Sequence, residues 1–372
     1  MDRSPSESGF FFTLGRRTGR LESPFQPGFY SSWINTERAG EIRSQTKPSG
    51  RTGEPAERCT EESRKSMRHR MIKTARGLKR LGMNVACMTA IGRRLILPPA
   101  QRAKDFGPDD AGYSWRLFGR QFDRLLEAGY EPTARRILDV GPGRNVGSSL
   151  LWWAASGGGP VSVVLWDTYT NMVVDSEALR ISARALTDSD ERREDESMLA
   201  LLLSVAEGEA CPDVKYIVSR PEELGSQNSD LFDLVLSHSC FEHIWDPVPT
   251  LAMLAHQTAP EGWQFVQIDL MDHGSRQTNY LEMLEWSDSV YWWTTRFIGG
   301  VNRWRAQQYV DLYELLRLNI IAQDRRSADQ LPIPRERLAK RFQDLPDREL
   351  LTTELVLITH GHTEEEEPAV SS

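Results

Sequence analysis

Residues 137–147 read Ile-Leu-Asp-Val-Gly-Pro-Gly-Arg-Asn-Val-Gly, an apolar strand that ends on Asp139 and continues into a tight glycine turn. Glycine lets the backbone turn sharply and lets N–H groups at the start of a helix approach a ligand without intervening side chains. The next apolar segment, 161–166, is followed by a second acid, Asp167. An acid after each of two successive strands, beside a glycine turn, predicts a binding site for a nucleotide-like cofactor.

Apolar strands and amphipathic helices alternate along the chain from Tyr113 onward. This alternation predicts an α/β fold: a doubly wound, Rossmann-like, seven-stranded and mostly parallel sheet with helices on both faces. The ligand of such a sheet binds at the carboxyl ends of the strands, where the strand order reverses. The predicted strands are 135–140, 161–167, 214–219, 231–238, 262–270, 319–325 and 350–360. The predicted helices are 113–129, 145–156, 171–186, 192–207, 246–258 and 306–318.

Composition indicates a globular protein with polar ends. The net charge is −8 and 39% of the residues are hydrophobic, which is compatible with a sizeable core. No apolar run approaches the roughly 20 residues that a membrane-spanning helix needs, and no signal-peptide pattern is present at the N-terminus. The four cysteines are far apart without C-x-x-C pairing, which argues against a zinc site or a disulfide framework. We expect a cytoplasmic, reducing compartment.

The sequence divides into four parts. Residues 1–66 lack helical or strand periodicity and are predicted to be a disordered extension. Residues 67–112 are predicted to form a basic helical arm, 113–362 the α/β domain, and 363–372 an acidic disordered tail. The arm contains ten Lys and Arg and no Asp or Glu between residues 67 and 104. We favour a helix that packs on the core; the alternative is peripheral contact with an anionic membrane or an acidic partner.

The glycine turn departs from the dinucleotide-binding fingerprint. Val146 stands where the G-x-G-x-x-G fingerprint has its third glycine, which disfavours a pyrophosphate-binding turn. The turn resembles instead the acid-x-Gly-x-Gly turn of class I S-adenosylmethionine (SAM)-dependent methyltransferases. Asn145 replaces the usual third glycine of that family, and asparagine adopts left-handed backbone angles more readily than most residues.

Later segments resemble the same family, the type 11/23-like methyltransferases, in the family's own order. Residues 232–247 read Phe-Asp-Leu-Val-Leu-Ser-His-Ser-Cys-Phe-Glu-His-Ile-Trp-Asp-Pro and are similar to its "FDLV…S…LEH…DP" pattern. Residues 258–263 resemble its "LKPGG" turn. Residues 267–273 resemble the "IDLxDH" segment of one subgroup, and 301–305 that subgroup's "NR" segment. The resemblance covers about residues 113–360 and implies SAM as the cofactor.

The resemblance assigns cofactor-binding roles residue by residue. It implies that Gly141 and Gly143 admit the methionine part of SAM and that Asp139 lies near its ammonium group. Asp167 is expected to accept hydrogen bonds from the ribose hydroxyls, a role that suits a carboxylate at a strand end. Ser237 completes the expected set at the end of the fourth strand.

The adenine site departs from the family pattern. Arg220 stands where many relatives have an acid after the third strand, so adenine selection is left to backbone groups or Glu222.

Candidate catalytic residues follow the fourth and fifth strands. His273 is the first choice for a base that removes a proton from an acceptor hydroxyl, because imidazole titrates near neutrality. Asp269 is the alternative, and His243 lies at the same edge of the predicted sheet. The His and Asp residues near the fifth strand could ligate a divalent ion, but their spacing is not diagnostic of a metal site. Metal dependence is therefore left open, and no metal ligand is assigned.

Residues 271–305 are dense in aromatic side chains and are predicted to form a lid over the acceptor. Trp286 and Trp292 offer aromatic faces to a sugar, an aromatic ring or a lipid chain. Arg303 and Arg305 are expected to bind an anionic group of the acceptor, or to form surface ion pairs.

The leading hypothesis is methyl transfer from SAM to a small molecule or glycan, at oxygen. The alternatives are an NAD(P)-dependent oxidoreductase, a nucleic-acid methyltransferase that uses the basic arm, and a binding module without catalysis. The acidic core and the Ser-His-Ser-Cys segment at 237–240 disfavour nucleic acid as a partner.

Overall fold

The computed structural model describes residues 75, 77–87, 101–102, 107–144, 146–168, 172–227, 231–296 and 300–362. The predicted N-terminal extension, the predicted acidic tail and Asn145 lie outside the described residues. The strands are β1 (Gln101–Arg102), β2 (Arg136–Val140), β3 (Ser162–Asp167), β4 (Met172–Val173), β5 (Asp213–Val218), β6 (Phe232–His238), β7 (Thr258–Asp269), β8 (Leu318–Ser327) and β9 (Thr352–His362).

The described helices are α1 (77–87), α2 (Pro108–Glu127), α3 (Gly147–Ala155), α4 (Ser176–Thr187), α5 (Glu196–Glu207), α6 (Pro221–Gln227), α7 (Val248–Gln257), α8 (Asp288–Thr295), α9 (Ala306–Leu315), α10 (Lys340–Gln343) and α11 (Asp347–Leu351). Short 3₁₀ turns span Phe241–His243, Glu282–Glu285 and Arg335–Arg337. None of the helices in the described ranges combines the length and the hydrophobicity that crossing a membrane requires.

Seven strands form one sheet in the order β5-β3-β2-β6-β7-β9-β8. β9 is antiparallel to both β7 and β8, and the other neighbouring pairs are parallel. β2 pairs with β3 on one side and with β6 on the other, so the strand order reverses between β2 and β6. The predicted doubly wound, mostly parallel sheet is confirmed, and its ligand crevice is expected at the carboxyl ends of β2 and β6. β1 and β4 form a separate parallel pair.

Helix starts follow the capping residues rather than the apolar pattern alone. The predicted helix 171–186 begins at Ser176, because the Asp175 side chain accepts a hydrogen bond of 2.8 Å from the Ala178 backbone N–H. Asp195 does the same for α5, so that helix begins later than the predicted residue 192. Each such cap stabilises a helix by about 1 kcal/mol. Helix α6 was not predicted.

Both faces of the central strands are buried, because successive strand side chains point to opposite faces. Ile137 and Val163 belong to one hydrophobic cluster, packed against α2 to α5, while Leu138 and Val164 belong to another, packed against α7 and α9. Burying each such side chain contributes about 1.5–3 kcal/mol. Leu126, near the end of α2, is exposed.

A third hydrophobic cluster contains described residues of the predicted lid, 271–305, together with residues from the segment 331–350. Helix α1, which lies in the predicted basic arm, packs on this cluster. The buried Asn84 side chain donates a 2.7 Å hydrogen bond to the backbone carbonyl of Trp293. Arg80 lies 3.8 Å from Asp272, and a Cβ atom on Gly77 would lie 2.9 Å from the Trp286 ring.

Candidate active site

The glycine loop after β2 brings backbone to the floor of the crevice. Gly141 and Gly143 both have φ of 68°, in the left-handed region that favours glycine. A Cβ atom on Gly141 would lie 2.3 Å from Sγ of Cys240, whereas a Cβ on Gly143 would have no protein atom within 4 Å. Gly141 is therefore required by the contact between the two crevice loops, and Gly143 leaves an open space beside its own backbone.

The two strand-end acids, Asp139 and Asp167, lie on the neighbouring parallel strands β2 and β3. Asp139 accepts a 2.7 Å hydrogen bond from Oγ of Ser149, in the first turn of α3. Burial raises the pKa of Asp139 to about 6, and the bond from Ser149 opposes that rise. Asp167 ends β3 and is buried. The backbone carbonyl of Asp167 accepts a hydrogen bond from the Ser219 N–H, 3.0 Å away, which fixes the start of the loop after β5.

The loop after β6 completes the crevice. Ser239 has a positive φ of 48°, a backbone conformation that most residues other than glycine avoid. Burial raises the pKa of the Cys240 thiol, and the charges of Asp167, Glu242 and Asp139 raise it further. Because β3, β2 and β6 are neighbouring parallel strands, Asp167, Asp139 and the turn that carries Glu242 lie at the same edge of the sheet.

Glu242 and His243 lie on the 3₁₀ turn Phe241–His243, and both are buried. Burial raises the pKa of Glu242 to about 8. Burial also lowers the pKa of His243, and the neighbouring His273 lowers it further. The two imidazole rings face each other nearly edge to face, with centroids 5.0 Å apart.

Asp269 and His273 come together at the end of β7. Nε2 of His273 lies 3.1 Å from Oδ2 of Asp269, which also pairs with Arg276. Burial lowers the pKa of His273 to about 4, so its imidazole is neutral at neutral pH. A neutral imidazole whose Nε2–H donates to a carboxylate keeps a lone pair on Nδ1, which can accept a proton or bind a metal ion.

Sequence reasoning missed a polar chain on the sheet itself. Nδ1 of His238, the last residue of β6, lies 3.0 Å from Oε1 of Gln267, and Nε2 of Gln267 donates to Glu354 over 2.6 Å. The Tyr113 ring of α2 lies 6.4 Å from the His238 ring. Glu354 reaches this edge because β9 is antiparallel and pairs it with Asp269. No pattern in the sequence predicts that β9 runs antiparallel to β7.

Two of the predicted acceptor residues line a cavity of about 470 Å³ beside the loop after β6. Trp292 contributes an aromatic wall, together with Trp245 and Trp304. The Arg303 guanidinium forms an ion pair with Asp288 and lies 4.5 Å from the centroid of the Tyr291 ring. Arg303 also donates to the Trp286 backbone carbonyl over 2.7 Å, so the structure shows the ion pair, the second role predicted for this residue. An arginine beside aromatic rings suits a ligand with a flat apolar part and an anionic group, and such a group would compete with Asp288.

Arg305 corrects the expectation of an anion contact. Its side chain is only 1% exposed, and its N–H groups donate to the backbone carbonyls of Leu270 at 2.6 Å, of Glu349 at 2.8 and 3.0 Å, and of Thr352. The guanidinium thus joins the ends of three segments inside the protein and cannot reach a ligand.

Ser237 is corrected for a similar reason. It is fully buried within the sheet, and its hydroxyl donates to the Val140 carbonyl over 3.3 Å. Trp286 lies under α1, where its ring faces Gly77, rather than on the cavity wall. Glu222 is exposed in the first turn of α6, at the carboxyl end of β5.

No protein-family model matches the chain. No curated protein matches it either. Solved structures do resemble it. An O-methyltransferase family protein from Burkholderia thailandensis aligns at 13% identity and a TM-score of 0.37 over 68% of this chain. The alignment spans 58% of the Burkholderia chain.

Two further structures are N-methyltransferases. Phosphoethanolamine N-methyltransferase 2 from Haemonchus contortus, in complex with S-adenosyl-L-methionine, aligns at 14% identity and a TM-score of 0.36 over 68% of this chain and 57% of its own. N-methyltransferase NodS from Bradyrhizobium japonicum aligns at 10% identity and a TM-score of 0.32 over 66% of this chain and 98% of its own. The description of the fold rests on the strand order given above.

Proposed function

We propose that this protein is a SAM-dependent methyltransferase that acts on a small-molecule or glycan acceptor, at oxygen. The observation that carries the proposal is the pairing of two strand-end acids, Asp139 and Asp167, with a left-handed glycine loop at the point where the strand order reverses. The open space beside Gly143 fits a ligand that lies directly on the backbone. The ordered sequence resemblance to class I methyltransferases supports the same conclusion.

In this proposal each crevice residue holds one part of the cofactor. Asp139 attracts the ammonium group of SAM, and Asp167 accepts hydrogen bonds from its ribose hydroxyls. The loop 141–143 contacts its methionine part, and Glu222 or nearby backbone groups contact the adenine. When bound, SAM supplies an electrophilic methyl group.

The acceptor side of the proposal rests on His273 and on the aromatic cavity. In the proposal, neutral His273 takes the proton of a hydroxyl group as its oxygen is methylated, and the hydrogen bond between His273 and Asp269 supports this role. Trp292 and Arg303 select an acceptor with an apolar ring and an anionic group. Cytoplasmic residence, and membrane contact of residues 67–104, stay predictions of the sequence.

The test is calorimetric titration of the purified protein with SAM, S-adenosylhomocysteine and NAD in parallel. We expect binding of the first two and none of NAD. Asp167→Asn keeps the size of the side chain but removes its charge, and it is expected to weaken SAM binding at least tenfold. Glu261→Gln, an exposed change on β7, serves as the matched control. Absence of SAM binding by the unmodified protein would overturn the proposal.

A further inference from the structure

Three side chains to which the proposed function assigns no contact with SAM converge beside the crevice. Glu242 and His243 come from the turn after β6, and His273 follows β7. One ligand atom from each residue lies within 4.8 Å of the other two. Oε1 of Glu242 is 4.0 Å from Nε2 of His243. Two imidazoles and one carboxylate form a ligand set that transition-metal ions commonly use.

The burial and the hydrogen bonding of the Glu242 side chain point to a bound ligand. Its side chain is about 2% exposed. Among the described residues neither of its carboxylate oxygens makes a hydrogen bond of regular geometry, although the Ser239 side chain and the backbone N–H of Glu242 lie close enough to lower the pKa of this carboxyl. A buried polar group without a partner costs about 1–3 kcal/mol, and a charged one costs more. A cation bound between Glu242 and the two imidazoles would remove that cost.

The surroundings of the cluster hold its ligands in place. Asp269 accepts from Nε2 of His273, the arrangement in which a carboxylate orients a metal-binding imidazole. The Asn302 amide donates to the backbone carbonyls of Phe241 and Ile244, each at 2.8 Å, and its backbone N–H donates to the carbonyl of Glu242. The turn that carries two of the three ligands is therefore fixed from outside the cluster.

We propose that Glu242, His243 and His273 bind one divalent transition-metal ion, with zinc, manganese, iron(II) and cobalt(II) as the chemical class. Magnesium is disfavoured because it prefers oxygen ligands. Ligand atoms lie about 2.0–2.2 Å from such an ion, so the side chains must move together by about 1 Å from their present separation. Three protein ligands leave at least one coordination position open to a small molecule.

The proposed metal site gives His273 a different role from the one assigned to it above. An imidazole whose lone pair is bound to a metal cannot also remove a proton. The ion, held by these three residues, would instead lower the pKa of a hydroxyl group at its open coordination position. Metal binding itself does not depend on methyl transfer and can be measured without SAM.

The experiment uses the full chain without an affinity tag, freed of metal with a chelator, and titrates it with Zn²⁺, Co²⁺ and Mg²⁺. We expect one Zn²⁺ or Co²⁺ per chain and no saturable Mg²⁺ binding. Glu242→Gln and His273→Gln should each weaken Zn²⁺ binding at least tenfold. His256→Gln, an exposed histidine on α7, should leave Zn²⁺ binding unchanged.

The outcomes separate this proposal from the proposed function. Binding of SAM without one equivalent of Zn²⁺ or Co²⁺ overturns the metal site alone, and metal binding without SAM affinity overturns the cofactor alone. If the variants fold poorly, X-ray absorption of the Zn²⁺-loaded natural protein counts its imidazole ligands. Fewer than two imidazoles would refute the site, as would full Zn²⁺ affinity in a folded Glu242→Gln or His273→Gln variant.

Discussion

Replacing Gly141 with alanine tests the contact between the two crevice loops. The new Cβ would lie 2.3 Å from Sγ and 2.8 Å from Cβ of Cys240, at a φ of 68°. The left-handed conformation costs alanine about 1–2 kcal/mol relative to glycine, and forcing a methyl group into a filled space costs about 1–3 kcal/mol more. We expect Gly141→Ala to lower the free energy of unfolding by about 2–5 kcal/mol, measured by urea denaturation.

Gly143→Ala is the matched control, because it has the same φ and no protein atom within 4 Å of the added Cβ. It is expected to lose only the backbone contribution, about 1–2 kcal/mol. Its SAM affinity should nevertheless fall, since the methyl group occupies the space proposed for the cofactor. Combining Gly141→Ala with Cys240→Gly should recover part of the lost stability. Equal losses for the two alanine variants, with no recovery in the double variant, would refute the loop contact.

Three further predictions concern single residues. Burial raises the pKa of Asp139 to about 6. Below that pH the Asp139 carboxyl of the free protein is protonated and no longer attracts the ammonium group of SAM. SAM affinity should therefore increase with pH by up to about tenfold per unit up to about pH 6 and then level off; calorimetry with Asp139→Asn should give a flat profile over the same range. Arg305→Met leaves several buried carbonyls without a hydrogen-bond donor. Since each lost bond costs about 1–3 kcal/mol, the substitution should lower the free energy of unfolding by about 3–6 kcal/mol. An unchanged midpoint of urea denaturation would contradict the structural role of Arg305. Asn302→Ala frees the turn 241–244 and should increase amide hydrogen exchange there while exchange in β2 stays constant; unchanged exchange in the turn would mean that other contacts hold it.

The central strands β2, β3 and β6 could be predicted from sequence because each is a mostly apolar run with buried side chains on both faces. The edge strands β5 and β8 are largely half-buried or exposed, and only their alternation with helices predicts them. The segment 231–238 corresponds to Phe232–His238, and the acids after β2 and β3 follow from the same reasoning. A strand's direction and register depend on contacts far apart in sequence. For that reason the pairing of Asp269 with Glu354 through antiparallel β9 was not predictable.

The candidate site was predictable only where position in the fold decides the role. An acid at a strand end must lie at the crevice, whereas an arginine after a loop can point either way. Arg305 carries a guanidinium that could bind an anion, but its N–H groups donate to buried backbone carbonyls instead. The convergence of Glu242, His243 and His273 likewise depends on how two loops fold back, and their spacing of 30 residues along the chain carries no such information.

The packing of α1 on the lid has a practical consequence for producing the protein. A recombinant chain that begins at Gly107 would keep every strand of the large sheet but would lose the side chains of Arg80 and Asn84 that hold residues 272 and 293. The aromatic surface under α1, including Trp286, would then be exposed to water and prone to self-association. Expression designs that start before residue 75 retain this cover.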